Sequence, residues 1–208
     1  HRYSTSKRNS FSQINFRQHR QSFYGLPYLI EDNYILSNFD PIQRLTYFSV
    51  TSDWKWYDRV VKGFSLNSYY TADSYSTREN EVSFLSKFQL DFGSINVTAI
   101  PKINILSTNF KEDFYTRLEN NLFSGIGGVL IYSSKEKGRL KFRLGIQSYY
   151  ITGDEYADKN LYYFPDVNVT FKSENSNFAP FLNITGEFYQ NSFRALSHIN
   201  PYIAPAIR

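Results

Sequence analysis

The chain has 208 residues, 23 lysines and arginines against 19 aspartates and glutamates, and neither cysteine nor methionine. The missing cysteine excludes a disulfide framework and a thiolate metal site, and cations dispersed among nearly as many acids lack the stripe of a nucleic-acid binder. Aromatics make up 19% of the residues, which argues against disorder, and no run approaches the roughly 18 apolar residues of a spanning helix.

The first ten residues, HRYSTSKRNS, hold no apolar signal core. With no methionine even at position 1, the chain reads as mature or as an internal segment. No Pro, Gly or Ser-rich linker divides it, so residues 1–208 are expected to form part of one domain.

An irregular strand is expected near residues 10–23, followed by a long polar loop over 25–42. The stretch RLTYFSVTSDWKWYD then places Phe48, Val50, Trp54 and Trp56 in phase. Period two is the signature of a strand. After a turn near Tyr57 and Asp58, VKGFSLNSYYT sets Phe64, Leu66 and Tyr70 against Ser65, Asn67 and Tyr69. A loop over 72–79 leads into the longest alternation in the chain.

That alternation is EVSFLSKFQLDFGSINVTAIPKINI. Val82, Phe84, Phe88, Leu90 and Phe92 are even, whereas Ile95, Val97, Ala99, Ile103 and Ile105 are odd. The parity switch at Gly93 and Ser94 is what a two-residue hairpin requires, because directly opposed residues share a face. It predicts Phe92 opposite Ile95, Leu90 opposite Val97 and Phe88 opposite Ala99. Pro101 has no amide to donate, so a bulge or irregular pair is expected near Ser86.

Beyond a loop over 107–113, a strand within 115–132 is loosened by Gly125, Gly127 and Gly128. After SKEKG, the stretch GRLKFRLGIQSYY opposes Leu140, Phe142, Leu144 and Ile146 to Arg139, Lys141, Arg143 and Gln147. A loop over 152–160 precedes NLYYFPDVNVTFK, with Leu161, Tyr163, Val167, Val169 and Phe171 on one side. A turn at SENSN leads to FAPFLNITGEFY, read as a strand with Phe178, Leu182, Ile184 and Phe188 against Asn183, Thr185 and Glu187. The expectation is an all-β chain of about nine strands in an antiparallel up-and-down meander.

Alternation alone fits a soluble ligand-binding barrel as well as a membrane barrel. Strands of about ten residues or more, and connections that alternate short and long, favour a transmembrane β-barrel. So do the aromatics near strand ends, Trp54 and Trp56, Tyr69 and Tyr70, Tyr149 and Tyr150, Tyr162 and Tyr163, which would form an interfacial girdle. Phe84, Phe88, Leu90, Leu140, Phe142 and Leu144 are then expected to face lipid. Lys87, Asp91, Lys102, Arg139, Lys141, Arg143, Asp166 and Glu187 are expected to line the lumen. The short turns are expected at the periplasmic end, with the long loops and the segment after Gln190 outside.

Four stretches, FYGLP (23–27), YYFPDVNVTF (162–171), GEFYQNSFRAL (186–196) and INPYIAP (199–205), together resemble the barrel region of plug-less outer-membrane proteins of Bacteroidota, the TonB-dependent receptor-like kind. The resemblance implies an outer-membrane location in a Gram-negative bacterium, with lipid, lipopolysaccharide and other envelope proteins as partners. Neither a plug domain nor a TonB box stands in this stretch, so energised import does not follow. The end, NPYIAPAIR, lacks a terminal aromatic, and about nine strands is an odd number for a bacterial barrel. Further strands are therefore expected outside this segment.

The histidines His1, His19 and His198 are too scattered for a metal cluster or a triad. No catalytic residue, metal or cofactor is assigned. The Asn-x-Thr triplets at Asn96, Asn168 and Asn183 read as strand alternation rather than glycan acceptors. Arg139, Lys141 and Arg143 suit an anionic solute or lipopolysaccharide phosphates, but as lumen residues they need only water and counter-charges such as Glu187 or Asp166, and that is the leading reading. On the loops, Tyr24, Leu26, Pro27, Pro201, Tyr202 and Ile203 are candidate partner contacts. The leading expectation is a non-enzymatic subunit of an envelope assembly or export complex. The alternatives are a solute-uptake channel or receptor and a soluble ligand-binding barrel.

Overall fold

The computed structural model describes residues 2–22, 42–57, 59–92, 95–110, 121–137, 139–153, 160–172 and 179–200. Ten strands are present: β1 (Arg2–Ser4), β2 (Arg8–Ser22), β3 (Ile42–Trp56), β4 (Val61–Asp73), β5 (Arg78–Phe92), β6 (Ile95–Asn109), β7 (Asn121–Lys137), β8 (Leu140–Thr152), β9 (Leu161–Phe171) and β10 (Phe181–Thr185). They join in chain order into one antiparallel sheet. The tenth strand, relative to the nine expected, is the short β1, which pairs with Asn9, Ser10 and Phe11 at the start of β2. β1 and β10 stand at opposite edges, so the sheet is open. The sequence candidates Tyr24, Leu26, Pro27, Pro201, Tyr202 and Ile203, like Gly93 and Ser94, lie outside the described residues.

The hairpin of β5 and β6 has the pairs that its parity demands, Phe92 with Ile95, Leu90 with Val97 and Phe88 with Ala99. Opposite Ile100 and Pro101 the ladder lapses at Ser86 and Lys87, then resumes at Leu85 and Lys102 in the same register. The irregular pair expected near Ser86 is therefore present, as a lapse in pairing without an inserted residue. A bulge lies on the other flank of β5, where Val61 pairs with Phe88 and Gly63 with Lys87. The Ser86 hydroxyl donates to the Gly63 carbonyl at 3.1 Å, filling the gap in the interrupted ladder. The extra residue, Lys62, returns Val61 to the face that carries Phe88.

Because opposed residues share a face, the register assigns each strand one apolar and one polar side. The apolar face collects Ile14, Phe16, Phe48, Leu66, Val82, Phe84, Ile103, Leu144, Ile146 and Ile184, all exposed, with Ile14 and Phe16 each at 70%. The opposite face holds Gln43, Thr71, Glu79, Thr108, Gln147 and Asp166, all buried. This inverts the usual order of a water-soluble protein.

β7 runs unbroken despite its glycines, and the reason lies across the ladder. Gly127 pairs with Tyr150, Gly128 with Tyr149, and Gly145 of β8 pairs with Tyr132 of β7. At Gly128 the Tyr149 ring lies over the bare backbone, its Cδ1 2.7 Å from where a Cβ would sit. A Cβ on Gly145 would sit 2.6 Å from Tyr132 Cβ and 2.7 Å from the Ile131 carbonyl oxygen, whereas one on Gly127 meets nothing within 4 Å. Gly145→Ala is therefore expected to destabilise by about 1–3 kcal/mol through overpacking. Gly127→Ala should be neutral or stabilise by about 0.5 kcal/mol through the unfolded chain. Urea unfolding of the two variants checks the contrast, and equal effects would mean that the Gly–Tyr pairs do not set the local packing.

Candidate functional site

The last strand is shorter than its alternation suggests. β10 stops at Thr185 because Gly186 is pressed against the Phe164 ring of β9, where a Cβ would lie 2.5 Å from Cδ1. From Gly186 the chain turns onto the polar face and crosses it as a strap, residues 186–200. Phe188, expected on the apolar side of a longer β10, instead meets the rings of Tyr162, Tyr149 and Phe164 on the polar side, with centroids 4.9, 6.3 and 6.4 Å away.

Further along, Glu187 pairs with Lys102 of β6 at 3.1 Å. Gln190 accepts from Asn104 Nδ2 at 2.8 Å and donates to Ser124 Oγ of β7. The strap then forms the helix α1 (Phe193–Ile199), capped by Ser192, whose Oγ accepts from the Ala195 amide at 3.1 Å. Seven residues are too few for a helix to persist alone. The sheet holds it. Glu79 of β5, 2% exposed, accepts from the amides of Phe193 at 2.6 Å and Arg194 at 2.8 Å and from the Thr108 hydroxyl at 3.0 Å. A carboxylate at the first turn satisfies donors that no residue within the helix can reach.

The Arg194 side chain completes the dock. Its Nη2 and Nε both donate to Glu81 Oε2, at 2.7 and 3.2 Å, and the guanidinium lies 4.0 Å from the centre of the Tyr69 ring. Phe193 is buried. At the far end Tyr47 of β3 stacks on His198 with centroids 5.1 Å apart, and its hydroxyl lies 3.4 Å from Ser197 Oγ.

These contacts show that the sheet is curved. Gly186 touches β9 and Ser197 touches β3, six strand spacings apart. Followed along the ladder, the row of Phe164 reaches β7 at Leu130 and the row of Tyr47 reaches it at Leu122. On a flat sheet those rows would be roughly 39 Å apart. Residues 186–197 span about 21 Å of extended chain plus about 8 Å of helix. The polar face is therefore concave around the strap.

Of the candidate interior residues, Lys102, Arg143 and Asp166 lie on this face within defined pairs. Arg143 Nη2 donates to Asp166 at 2.8 Å and sits 5.2 Å from the Tyr132 ring centre, and Asp166 is 1% exposed. Lys87, Asp91 and Lys141 share the face by register and are exposed. Arg139 does not lie on a strand face, since β8 begins at Leu140 and Arg139 occupies the turn before it. Glu187 reaches the face from the strap rather than from β10.

Residues 191–200, expected at the same end as the long loops, are docked on the polar face near the starts of β3 and β5. The tyrosine doublets are corrected as well. Tyr70, Tyr150 and Tyr163 take the apolar face, but Tyr69, Tyr149 and Tyr162 lie beneath the strap. Asn96, Asn168 and Asn183 are on the polar face, where Asn168 Nδ2 donates to Asn183 at 3.4 Å. Among the described residues no three His, Asp or Glu side chains converge as a metal site would.

Glu79, Glu81 and Tyr47 were not singled out from the sequence, Tyr69 was expected in the interfacial girdle, and Arg194 stood only within the stretch that carries the resemblance. Two signals pointed to them. Glu79 and Glu81 are neighbours on one side of a strand with no cation between them on that side, and NSFRALSHI carries a capping serine followed by helical spacing. Compared with family models, with curated proteins and with solved structures, the chain matches none.

Glu79→Ala leaves two helix amides and a hydroxyl without an acceptor and should weaken docking by about 3 kcal/mol. Arg194→Ala should cost about 1–2 kcal/mol, because its ion pair is partly open to water. Hydrogen exchange at Ala195 to Asn200 reads both, and unchanged protection in the Glu79 variant would refute the anchoring role. Partial burial, then the charges of Arg17, Arg194 and His19, hold the His198 imidazole below the ordinary histidine range. Protons then favour the undocked strap, so docking is complete above about pH 6.5 and loosens as pH falls through that value. Exchange at pH 5.5 should exceed that at pH 7.5 after correction for intrinsic rates, and His198→Gln should remove the difference.

Proposed function

We propose that this chain is a section of an integral outer-membrane β-barrel of a Gram-negative bacterium, of the plug-less TonB-dependent receptor-like kind it resembles. In this reading it is a non-enzymatic subunit of an envelope assembly or export complex. The observation that carries the membrane reading is the inversion of burial. Phe84, Leu144 and Ile184 are exposed on one continuous face, while Glu79, Gln147 and Asp166 are buried behind them. Water does not tolerate so wide an apolar surface on a monomer, whereas lipid matches it. A soluble ligand-carrying barrel needs the opposite facing.

Dimensions agree with this reading. The apolar positions of β5 run from Val82 to Phe92, and those of β8 from Leu140 to Tyr150. Ten residues at about 3.3 Å, tilted by about 45°, rise roughly 23 Å, close to the apolar band of about 25 Å on such barrels. Trp54, Trp56 and Phe64 cluster at the short-turn end of that face with centroids 5.7–6.4 Å apart, where an interfacial girdle belongs. Lipid and lipopolysaccharide then surround the convex side.

The strap favours a complex subunit over a solute-uptake channel. A channel needs a wet path along its polar face, and residues 186–200 lie across that path from β9 to β3. In planar bilayers the purified protein should show no persistent conductance, and a stable open pore would move the reading to solute uptake. For the membrane assignment, Phe84→Arg places a cation on the apolar face near mid-strand and should cost about 2–4 kcal/mol of barrel stability, against little for Ser83→Arg on the polar face. Outer-membrane levels and heat-modifiable mobility of the two variants check this. If Ser83→Arg proved the more damaging, lipid would not be the medium outside.

A further inference from the structure

We infer that Arg20, Arg44 and Arg78, at the long-loop end of the apolar face, form a binding site for the phosphates of lipopolysaccharide. The inference rests on the proposed membrane reading and adds a ligand to it. Register puts all three on the lipid side. Arg20 of β2 is directly opposite Arg44 of β3, in the parity of Phe16 and Phe48. Arg78 of β5 pairs with Ala72 of β4 and Asn109 of β6, in the parity of Val82 and Ile105. The three are exposed. By contrast, Lys141 and Arg143, which suit such phosphates by sequence, lie on the polar face, and Arg139 lies in the turn before β8.

Two directly opposed arginines repel and weaken a ladder unless an anion lies between them. Among the described residues the protein supplies none there. The ion pairs of those residues belong to Lys102, Arg143 and Arg194, all on the concave side. No aspartate or glutamate stands on the apolar face of any of the ten strands.

The three strands also read alike down this face, Arg20, Gln18 and Phe16 on β2, Arg44, Thr46 and Phe48 on β3, and Arg78, Asn80 and Val82 on β5. Lipopolysaccharide presents the matching order from outside inward: phosphate, sugar hydroxyl and amide, then acyl chain. A glycerophospholipid offers only ester carbonyls at the middle level, and an acidic protein would leave the two lower levels unexplained. The planar fork of arginine suits phosphate better than lysine does. Each cation at the level of the headgroups favours an anionic surface about fivefold.

The test uses the full chain inserted in vesicles of phosphatidylcholine, phosphatidylglycerol and deep-rough lipopolysaccharide, released in mild detergent and examined by native mass spectrometry. The wild-type chain should retain lipopolysaccharide at least tenfold over its share of the mixture. The variant Arg20→Gln/Arg44→Gln/Arg78→Gln should lose that preference, while Lys55→Gln/Lys87→Gln/Lys141→Gln, an equal loss of charge on the polar face, should keep it. With the wild type alone, lipopolysaccharide stripped of its phosphates should be retained at no more than its share, a result that needs no variant to fold. Equal retention by both variants, preference for the stripped glycolipid, or no preference at all overturns the inference and leaves the barrel reading intact. Phosphatidylglycerol retained in place of lipopolysaccharide would overturn lipopolysaccharide as the ligand. A chain that fails to enter even pure phosphatidylcholine vesicles overturns the barrel reading itself, and the inference with it.

Discussion

Everything in this structure depends on an unslipped hydrogen-bond ladder. Opposed residues share a face, so a displacement of one residue between any two strands would exchange the apolar and polar sets of every strand beyond it. The ladder holds its parity across all ten strands with one correction, at Val61 and Gly63. There the chain carries one residue too many, and Lys62 absorbs it. Without that bulge Val61 would turn toward the buried polar side and the start of β4 would lose its place beside Phe88.

A sheet with buried polar residues needs partners for them, and the strap supplies many. Glu79 makes three hydrogen bonds, two of them to a helix that could not form by itself. Dependence is mutual, since a carboxylate at 2% exposure would be unfavourable without those donors. Glu81, Tyr69 and Arg194 repeat the logic with a guanidinium held between a carboxylate and a ring. At the other end of the strap, three aromatic rings from β8 and β9 receive Phe188. The polar face is therefore a mixed surface, apolar where the strap enters it and acidic where α1 docks.

Period two made the strands legible from the sequence, and the parity switch around Gly93 and Ser94 made the β5–β6 register legible to the residue. The strap was not, because its first residues continue the rhythm of β10. Leu182, Ile184 and Phe188 keep even spacing, yet the sheet ends between the second and third. Only Gly186 marks the departure, through close approach to Phe164. Glu79 and Phe193 are 114 residues apart, and Glu81 and Arg194 113, so no local pattern encodes their meeting. The bulge left a fainter sign. Gly63 inside a strand pattern is the residue that such irregularities favour, whereas Pro101 marked the lapse in pairing on the opposite flank of the same strand. The tyrosine doublets misled for a simple reason: adjacent residues in a strand cannot share a face.

Because consecutive strands pair with one another, nearly every contact in the sheet forms between neighbours in sequence and can close over a short loop. The strap is the exception, and it works as a gauge of the finished sheet. Its fixed length joins β9 to β3, and its anchors fit only when the intervening strands are present, curved and in register. A sheet lacking one strand, or slipped by two residues, would bring Arg194 to the wrong height for Glu81 while every ladder hydrogen bond remained satisfied. Correct assembly is thereby distinguished from near-correct assembly by an element that follows the ten strands in the chain and takes no part in the ladder.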